Sequence, residues 1–295
     1  MKKVLKWMGI TLGGLIVLIA VTAVALSIAG ERQLNKTRDD IQAATITIPT
    51  DEAAAARGEH LVHVACTSCH GDDLTGQALI NDPSIGTVYS SNLTGLAETH
   101  TDADLVRAIR HALDTDGRQM MIMPAEVFLY LSEADLGSII AYLQTLPRQG
   151  NERPKPELAL FGRILLGAGQ LGNVFPAEYI NHDLPFPEMP TVGANEAYGH
   201  YLAGLCRSCH GTELTGGQPG EPESPPAPNL TPGGDLQDWT EEAFVTAMRT
   251  GMTPDGRQLN PMFMPWPSVG KLDDDELRAL WLYLTSLPSQ PSANE

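Results

Sequence analysis

The feature that most constrains this chain is a five-residue pattern, Cys-x-x-Cys-His, that occurs twice. The copies are residues 66–70 and residues 206–210, and together they use all four cysteines of the 295-residue chain. A zinc site would need four nitrogen or sulfur ligands for each metal ion, but the second copy has only His200 nearby. A redox-active dithiol would not explain the histidine that ends both copies. Neither alternative accounts for the repeated pattern.

The spacing is instead typical of the attachment of a c-type haem. Two thiols three positions apart on a helical turn can each add to one vinyl group of the haem. The histidine that follows then lies under the iron as its proximal ligand. We therefore expect two covalently bound haem c groups. The attaching residues are Cys66, Cys69, His70, Cys206, Cys209 and His210.

The N-terminal segment predicts an association with a membrane. Three lysines precede an uncharged run, residues 7–30, which at 1.5 Å per residue is longer than the roughly 30 Å hydrocarbon core. The positive end should stay in the cytoplasm, which places the rest of the chain on the periplasmic or extracellular side. Apolar cores of secretory signals are shorter, about 7 to 15 residues, so we expect a single-pass anchor within residues 1–30. The small residues around Ser27 and Ala29 leave a cleaved periplasmic form open.

The charge of the chain argues against nucleic-acid partners. The formal net charge is −17, and the first thirty residues carry three lysines and no acids, so the remainder has −17 − 3 = −20. Such a surface repels phosphate backbones and attracts basic surfaces at low salt. We expect no binding of nucleic acid.

An internal repeat with a period of about 140 residues organises the chain. Residues 70–76 match residues 210–216, and the later Asn-Leu-Thr, Asp-Gly-Arg and Met-Pro motifs recur in the same order. The repeat predicts one domain in residues 52–147 and a second in residues 193–288. A proline-rich connector, residues 148–192, lies between them.

Each repeat predicts helices and no sheet. Residues 132–135 and residues 273–276 have the pattern of a helix cap, and apolar residues follow both at helical spacing. A middle helix is indicated around residues 105–112 and, in the second repeat, around residues 244–248. No alternating run is long enough for a sheet, so we expect two all-α domains after the N-terminal helix.

The connector contains one apolar segment, residues 158–167. It carries Arg163 and is shorter than the roughly 20 residues that a membrane span needs. We expect this segment to pack between the two domains rather than to enter lipid. A contact with a membrane partner is the alternative.

Methionine is the favoured ligand for the sixth iron position. No cysteine is spare, and no histidine follows His210. Met123 and Met264 occupy the same place in the two repeats and each precedes a proline, so we expect them to be the second axial ligands. Their rivals are Met121 and Met262. The histidine alternatives are His100 and His111 for the first haem and His182 and His200 for the second.

With these motifs in place, each repeat resembles a class I cytochrome c domain. The pair is similar to the cytochrome subunits of bacterial membrane-bound dehydrogenases, although those commonly have three haems and this chain has two attachment motifs. The resemblance implies an all-helical fold in which the first and last helices cross beside the haem. It also implies low-spin iron with histidine and methionine ligands, and one-electron transfer.

We therefore expect an electron carrier rather than an enzyme. Its partners would be redox proteins: a membrane-bound dehydrogenase, a quinol-oxidising complex or a terminal oxidase. The alternative is a dihaem oxidoreductase such as a peroxidase, which needs one iron whose methionine can be released. An enzyme acting on sulfur compounds and a passive scaffold subunit are further alternatives.

Overall fold

The computed structural model describes residues 2–217 and 225–293 and is mainly helical. Its elements in chain order are α1 (Lys2–Leu34), α2 (Glu52–Ala65), α3 (Thr67–His70), β1 (Ala78–Asp82), β2 (Gly86–Tyr89), α4 (Asp102–His111), α5 (Ala125–Phe128), α6 (Glu133–Thr145), β3 (Glu157–Leu158), α7 (Leu160–Gly167), α8 (Glu196–Leu202), α9 (Arg207–His210), α10 (Glu241–Thr250), α11 (Trp266–Val269) and α12 (Asp274–Ser286). Short 3-10 helices lie at Leu96–Glu98, Pro176–Glu178, Ala203–Cys206 and Asp235–Asp238. The predicted pair of helical repeats after an N-terminal helix is confirmed.

The first and last helices of each repeat cross at a glycine. In the first repeat a Cβ atom at Gly58 of α2 would collide with the carbonyl oxygen of Ser138 in α6. In the second repeat a Cβ atom at Gly199 of α8 would collide with the carbonyl oxygen of Ala279 in α12. Only glycine lets two helix backbones approach this closely. These glycines therefore place the crossing at the same position in both repeats.

The last helix of each repeat, α6 or α12, begins at the predicted cap and buries the predicted apolar stripe. Ser132 Oγ accepts a hydrogen bond from the N–H of Asp135 at 3.1 Å. Asp273 accepts one from the N–H of Glu276 at 2.8 Å, and the Glu276 carboxylate accepts one from the N–H of Asp273 at 3.0 Å. These bonds satisfy N–H groups that have no partner within the helix. The buried stripe of α6 is Leu136, Ile139, Ile140 and Leu143.

A small antiparallel sheet departs from the expectation of purely helical domains. Strands β1 and β2 form a hairpin, and β3 pairs with β2 through Gly86 opposite Leu158. The Asp82 carboxylate accepts hydrogen bonds from the N–H groups of Ser84 and Ile85 and so stabilises the turn. The prediction of no strands was wrong for residues 78–89. Only Val88 of this hairpin is fully buried, so the sequence shows no alternating pattern there.

The helix α1 is long and apolar enough to cross a membrane. Its C-terminal end is built into the first repeat, because Leu34 is buried in one apolar cluster with Val88, Leu158, Leu166 and Phe175. The side chain of Gln119 also donates a hydrogen bond to the carbonyl oxygen of Gln33 at 2.7 Å. The first repeat is therefore attached firmly to α1.

The apolar segment of the connector forms α7, which packs along α1. The expectation that residues 158–167 would pack between the two domains was wrong. An apolar stripe indicates that a helix buries one face, but it does not identify the surface that covers it. Here the covering surface is the end of α1.

The two repeats meet at a buried cluster of charged and polar side chains. Glu276 of α12 has a side chain that is only 2% exposed. Its carboxylate accepts hydrogen bonds from Arg57 at 2.8 Å and from His60 Nε2 at 2.7 Å, both across the interface. It also accepts one from Tyr198 Oη at 2.9 Å within its own repeat. One buried carboxylate therefore joins α2 of the first repeat to α8 and α12 of the second.

Asp135 of α6 occupies the equivalent position in the first repeat. Its carboxylate accepts two hydrogen bonds of 3.0 Å from Arg57 and one of 2.8 Å from Tyr201 Oη of the second repeat. His60 and Tyr201 are at equivalent positions, and each reaches the carboxylate of the other repeat. The interface therefore pairs the same face of both repeats about an approximate two-fold axis.

The network shifts the pKa values of its members. Burial alone would raise the pKa of Glu276, but the hydrogen bonds from His60 and Arg57 outweigh it and hold that pKa at about 2. The same hydrogen bond to Glu276 raises the pKa of His60 above its ordinary value. Both groups are therefore stabilised in their charged forms.

Substituting Glu276 tests how much this network contributes to the free energy of unfolding. Glu276→Gln should lower the free energy of unfolding by about 2–3 kcal/mol, because Arg57 and His60 lose a buried charged acceptor. Asp274→Asn on the same helix is the matched control: its side chain is 94% exposed, and it should cost no more than about 0.5 kcal/mol. Chemical denaturation in detergent, followed by circular dichroism, measures both. Equal losses would contradict a stabilising role for Glu276.

The interface should be most stable between about pH 4.5 and 6.5. The pKa of Glu276 falls from 4.5 to about 2 on folding, so its contribution is complete above pH 4.5 and is lost as the pH falls toward 2. The pKa of His60 rises above 6.5, so its contribution is complete below pH 6.5 and is lost as the pH rises through the raised value. Denaturation midpoints across this range should show His60→Gln furthest below wild type under mildly acidic conditions. A constant difference at every pH would contradict the assignment.

Candidate functional site

Each Cys-x-x-Cys-His motif lies at the end of the first helix of its repeat. The N–H of Cys66 still bonds to the carbonyl oxygen of Val62, and the N–H of His70 bonds to that of Cys66, both at 2.9 Å. The motif thus continues as the single helical turn α3, and α9 is its counterpart. None of the four cysteines is in a disulfide, so both sulfur atoms of each motif are available to one group.

The two motif histidines are oriented identically by backbone carbonyls. His70 Nδ1 lies 2.8 Å from the carbonyl oxygen of Ser91, and His210 Nδ1 lies 2.8 Å from that of Pro228. Because a carbonyl oxygen only accepts, Nδ1 carries the hydrogen and Nε2 keeps a free lone pair. Burial lowers the pKa of both histidines, which favours the neutral ring. A neutral imidazole with a free Nε2 is the form that binds iron.

The chain after each motif makes the same turn, which brings the carbonyl groups of Ser91 and Pro228 next to the motif histidines. Leu74 and Leu214 both have φ of 60°, a left-handed conformation that costs a non-glycine residue about 1–2 kcal/mol. Both side chains are buried, at 4% and 1% exposure, which offsets that cost. Their carbonyl oxygens accept hydrogen bonds of 2.8 Å from the N–H groups of Leu93 and Leu230. The returning chain is thereby fixed beside each histidine.

Sequence reasoning missed Ser91 and Pro228. Both act through the backbone, so their side chains give no signal. The repeated Asn-Leu-Thr motif that follows them was the available signal. Its asparagines donate hydrogen bonds to the carbonyl oxygens of Gln149, at 2.7 Å, and Gln290, at 2.8 Å.

The structure separates the candidate methionines. Met123 packs against the buried apolar cluster that also contacts Cys66, and Met264 packs against the cluster that contacts Cys206. Met121 is buried in a different cluster, with Leu34 at the end of α1. Met262 is 79% exposed. Only Met123 and Met264 among these four share a cluster with an attachment cysteine.

The histidine alternatives have other environments. His111 is buried, and its Nδ1 lies 3.0 Å from Nδ1 of His182. His100 lies next to the hydroxyl of Thr99 at 2.8 Å. His200 is exposed on α8 and contacts the ring of Tyr283. Each of these rings is thus already paired with a side chain that is not part of an attachment motif.

The donor set fits haem c better than zinc. Across residues 2–217 and 225–293, no group of three or more His, Cys, Asp and Glu side chains is arranged to hold a metal ion. Each site instead combines two thiols, one oriented imidazole and one thioether beside an apolar cluster. Two thiols can attach the haem edge, the imidazole and thioether suit iron, and the apolar cluster suits the macrocycle.

The two attachment motifs also contact the opposite repeat. Lys271 donates a hydrogen bond to Thr67 Oγ1 in the first motif at 2.7 Å. The Arg207 guanidinium of the second motif lies 5.5 Å from the ring centre of Tyr130. Tyr130 and Lys271 are equivalent, since each follows the Met-Pro pair of its own repeat by the same number of residues. Both motifs therefore lie at the interface between the repeats.

Comparison with known families agrees with this construction. The cytochrome c family matches residues 55–147 and again residues 195–288. The chain belongs to the cytochrome c family. Membership implies covalently bound haem c, and the resemblance inferred from the motifs is confirmed.

Several relatives are dehydrogenase subunits. The chain is 29% identical over 278 residues to the cytochrome c subunit of a quinone alcohol dehydrogenase from Gluconobacter oxydans, covering 82% of this chain and 56% of the relative. It is 26% identical over 281 residues to the fructose dehydrogenase cytochrome subunit of Gluconobacter japonicus, covering 84% and 56%. It is 34% identical over 115 residues to the gluconate 2-dehydrogenase cytochrome c subunit of Pantoea cypripedii, covering 34% and 25%. The chain thus spans little more than half the length of the first two.

Proposed function

We propose that this chain is a membrane-anchored dihaem cytochrome that relays single electrons and is not itself an enzyme. The observation that carries the proposal is the presence of two equivalent sites that meet at one interface. In each site a carbonyl leaves the Nε2 of the motif histidine free. When bound, haem iron supplies reversible one-electron exchange between Fe(II) and Fe(III).

The residues of each site have separate tasks. Cys66 and Cys69 hold one haem covalently, and Cys206 and Cys209 hold the other. The motif histidines supply the proximal nitrogen, with the tautomer set by the carbonyls of Ser91 and Pro228. Covalent attachment keeps the cofactor in place while the oxidation state changes.

Met123 and Met264 are the proposed second axial ligands. A soft thioether opposite an imidazole stabilises Fe(II) and raises the reduction potential. If Met123 and Met264 supplied the second ligands, a substrate could reach the iron only by displacing the thioether. Both methionines pack against the buried clusters of their repeats, which disfavours such displacement. This favours a carrier over the peroxidase alternative.

The fold also bears on which haem would lie nearer the membrane and where electrons would pass between the two haems. The first repeat is attached to α1 through Leu34 and Gln119, so its haem would be the one nearer the membrane. The contacts of Lys271 and Tyr130 with the opposite motifs hold the two sites together. We propose that electrons pass between the two haems across this interface.

A dehydrogenase is the proposed donor. The alcohol and fructose dehydrogenase subunits among the relatives support this class of partner, and the substrate of the donor stays open. The three lysines at the start of α1 favour a cytoplasmic N-terminus and haem domains on the periplasmic side. A quinol-oxidising complex or a terminal oxidase as a further redox partner stays a prediction from the sequence.

The first test is the number of haems. Replacing both Cys66 and Cys69 by alanine should halve the haem bound per chain, as should replacing both Cys206 and Cys209. Ser68→Ala, inside the first motif but without a thiol, is the control and should keep both haems. Denaturing mass spectrometry and the reduced pyridine spectrum measure the covalent haem. Full loading of either double variant would refute two independent attachment sites.

The second test identifies the sulfur ligand. Met123→His should lower the potential of one haem by on the order of 0.1 V, since axial ligands tune potentials over roughly 0.8 V. It should also halve the weak near-infrared band of the methionine–iron bond while leaving the haem attached. Met262→His is the control, because that side chain is 79% exposed, and it should change neither quantity. An unchanged titration of Met123→His would mean that another residue is the ligand.

A further inference from the structure

The segment around α7 is unusually apolar for this acidic chain. Residues 164–177 contain no charged side chain, although 19% of all residues are charged. At the start of α7, Leu160 is 59% exposed and Phe161 is 52% exposed. A segment of this composition that ends beside a candidate membrane helix fits a lipid environment better than water.

Two glycines bring α7 into backbone contact with α1. A Cβ atom at Gly30 would collide with the carbonyl oxygen of Arg163, and one at Gly167 would collide with that of Leu26. The pairing of higher numbers in α7 with lower numbers in α1 shows that the helices are antiparallel. Close contact through small residues is the usual way in which helices associate inside membranes.

The antiparallel direction determines how deep α7 reaches. The uncharged run of α1 is residues 7–30, which is 24 residues, whereas the hydrocarbon core takes about 20 helical residues. Whichever part of the run fills that core, Ala23 and Leu26 are inside it. Leu26 contacts Gly167, and Ala23 is half-buried on the same face of α1. The C-terminal end of α7 therefore lies at the depth of the hydrocarbon.

The first three residues after α7 meet the main requirement of that environment. Backbone N–H groups in lipid must find partners within the protein. Ala168 donates to the carbonyl oxygen of Ile164 at 3.0 Å, Gly169 to that of Leu166 at 3.0 Å, and Gln170 to that of Leu165 at 2.9 Å. The Gln170 side chain also donates to the carbonyl oxygen of Ala168. The backbone donors of residues 168–170 are thus satisfied within the protein.

The single charge of α7 is at the opposite end. Arg163 lies beside Gly30, where the uncharged run of α1 ends, and its guanidinium lies 3.3 Å from the Glu31 carboxylate. Arginine at the edge of the hydrocarbon commonly extends to the headgroups. This ion pair therefore marks the water-facing boundary, and the neutral residues 164–167 of α7 lie below it.

We propose that the C-terminal half of α7 and the residues that follow it, 164–170, are inserted beside α1 in the leaflet that faces the haem domains and contact lipid acyl chains. The inference rests on the proposed anchoring by α1. The inserted segment is joined to the first repeat, because Gly162 packs against the carbonyl of Ile85 and Leu166 is buried in the cluster with Val88. Two membrane contacts would thus fix the orientation of that repeat.

Cysteine accessibility in lipid vesicles tests the insertion. Ala168→Cys and Ala197→Cys are matched, because both alanines are exposed in the structure but only Ala168 is proposed to meet lipid. A second pair is Phe161→Cys and Val192→Cys, which start from 52% and 56% exposure. Full-length haem-loaded protein is placed in vesicles at about one chain per vesicle and treated with a bulky, membrane-impermeant maleimide. Wild type gives the background, and labelling in SDS gives the full extent.

Ala168→Cys should be labelled at least tenfold more slowly than Ala197→Cys, with a smaller reduction for Phe161→Cys relative to Val192→Cys. Val17→Cys, in the middle of α1, should be fully protected. Equal rates at 168 and 197 with Val17→Cys protected would overturn the insertion and leave the anchor intact. Rapid labelling of Val17→Cys would overturn the anchor as well. Protection of Ala168→Cys only after a purified dehydrogenase is added would show that a protein, not lipid, covers this surface.

Discussion

The glycine-mediated crossing of the first and last helices is the contact on which the remaining structure depends. Arg57 and Tyr198 immediately precede the crossing glycines Gly58 and Gly199, so the close approach brings each of them onto a carboxylate of its own repeat. The first helix of each pair, α2 or α8, also leads into the attachment motif of its repeat. A side chain at either glycine would separate the helices and displace both the interface and the site.

The interface formed in this way buries two carboxylates in a chain whose net charge is already −17. Asp135 and Glu276 are both almost fully buried and share Arg57. Such a network contributes little net stability compared with apolar packing, but any other pairing of the repeats would leave a buried charge without a partner. We infer that the network specifies the relative orientation of the two repeats. Their attachment motifs then meet as a consequence.

The helices and their caps could be predicted because they depend on local patterns and on an internal repeat, whereas the crossing was implied only by the resemblance to class I cytochromes c. The hairpin of residues 78–89 could not, since one buried valine and an aspartate turn do not make a strand pattern. The role of Glu276 in a helix cap could be predicted from the sequence. Its hydrogen bonds to Arg57 and His60 could not, because they depend on how the two repeats pair. The carbonyls that orient the motif histidines were also hidden, because backbone groups are common to all residues.

The placement of α7 shows why tertiary context decides the role of a short apolar segment. A mainly apolar segment of ten residues is too short to span a membrane, so the sequence favours burial within the protein. Beside a spanning helix that limit no longer applies, because an antiparallel segment needs only to enter one leaflet and return. A single helix would leave the first repeat free to rotate about the membrane normal and to tilt, whereas a second contact through α7 restricts both motions. Since the charged network fixes the second repeat on the first, the membrane would then orient both haem sites toward their redox partners.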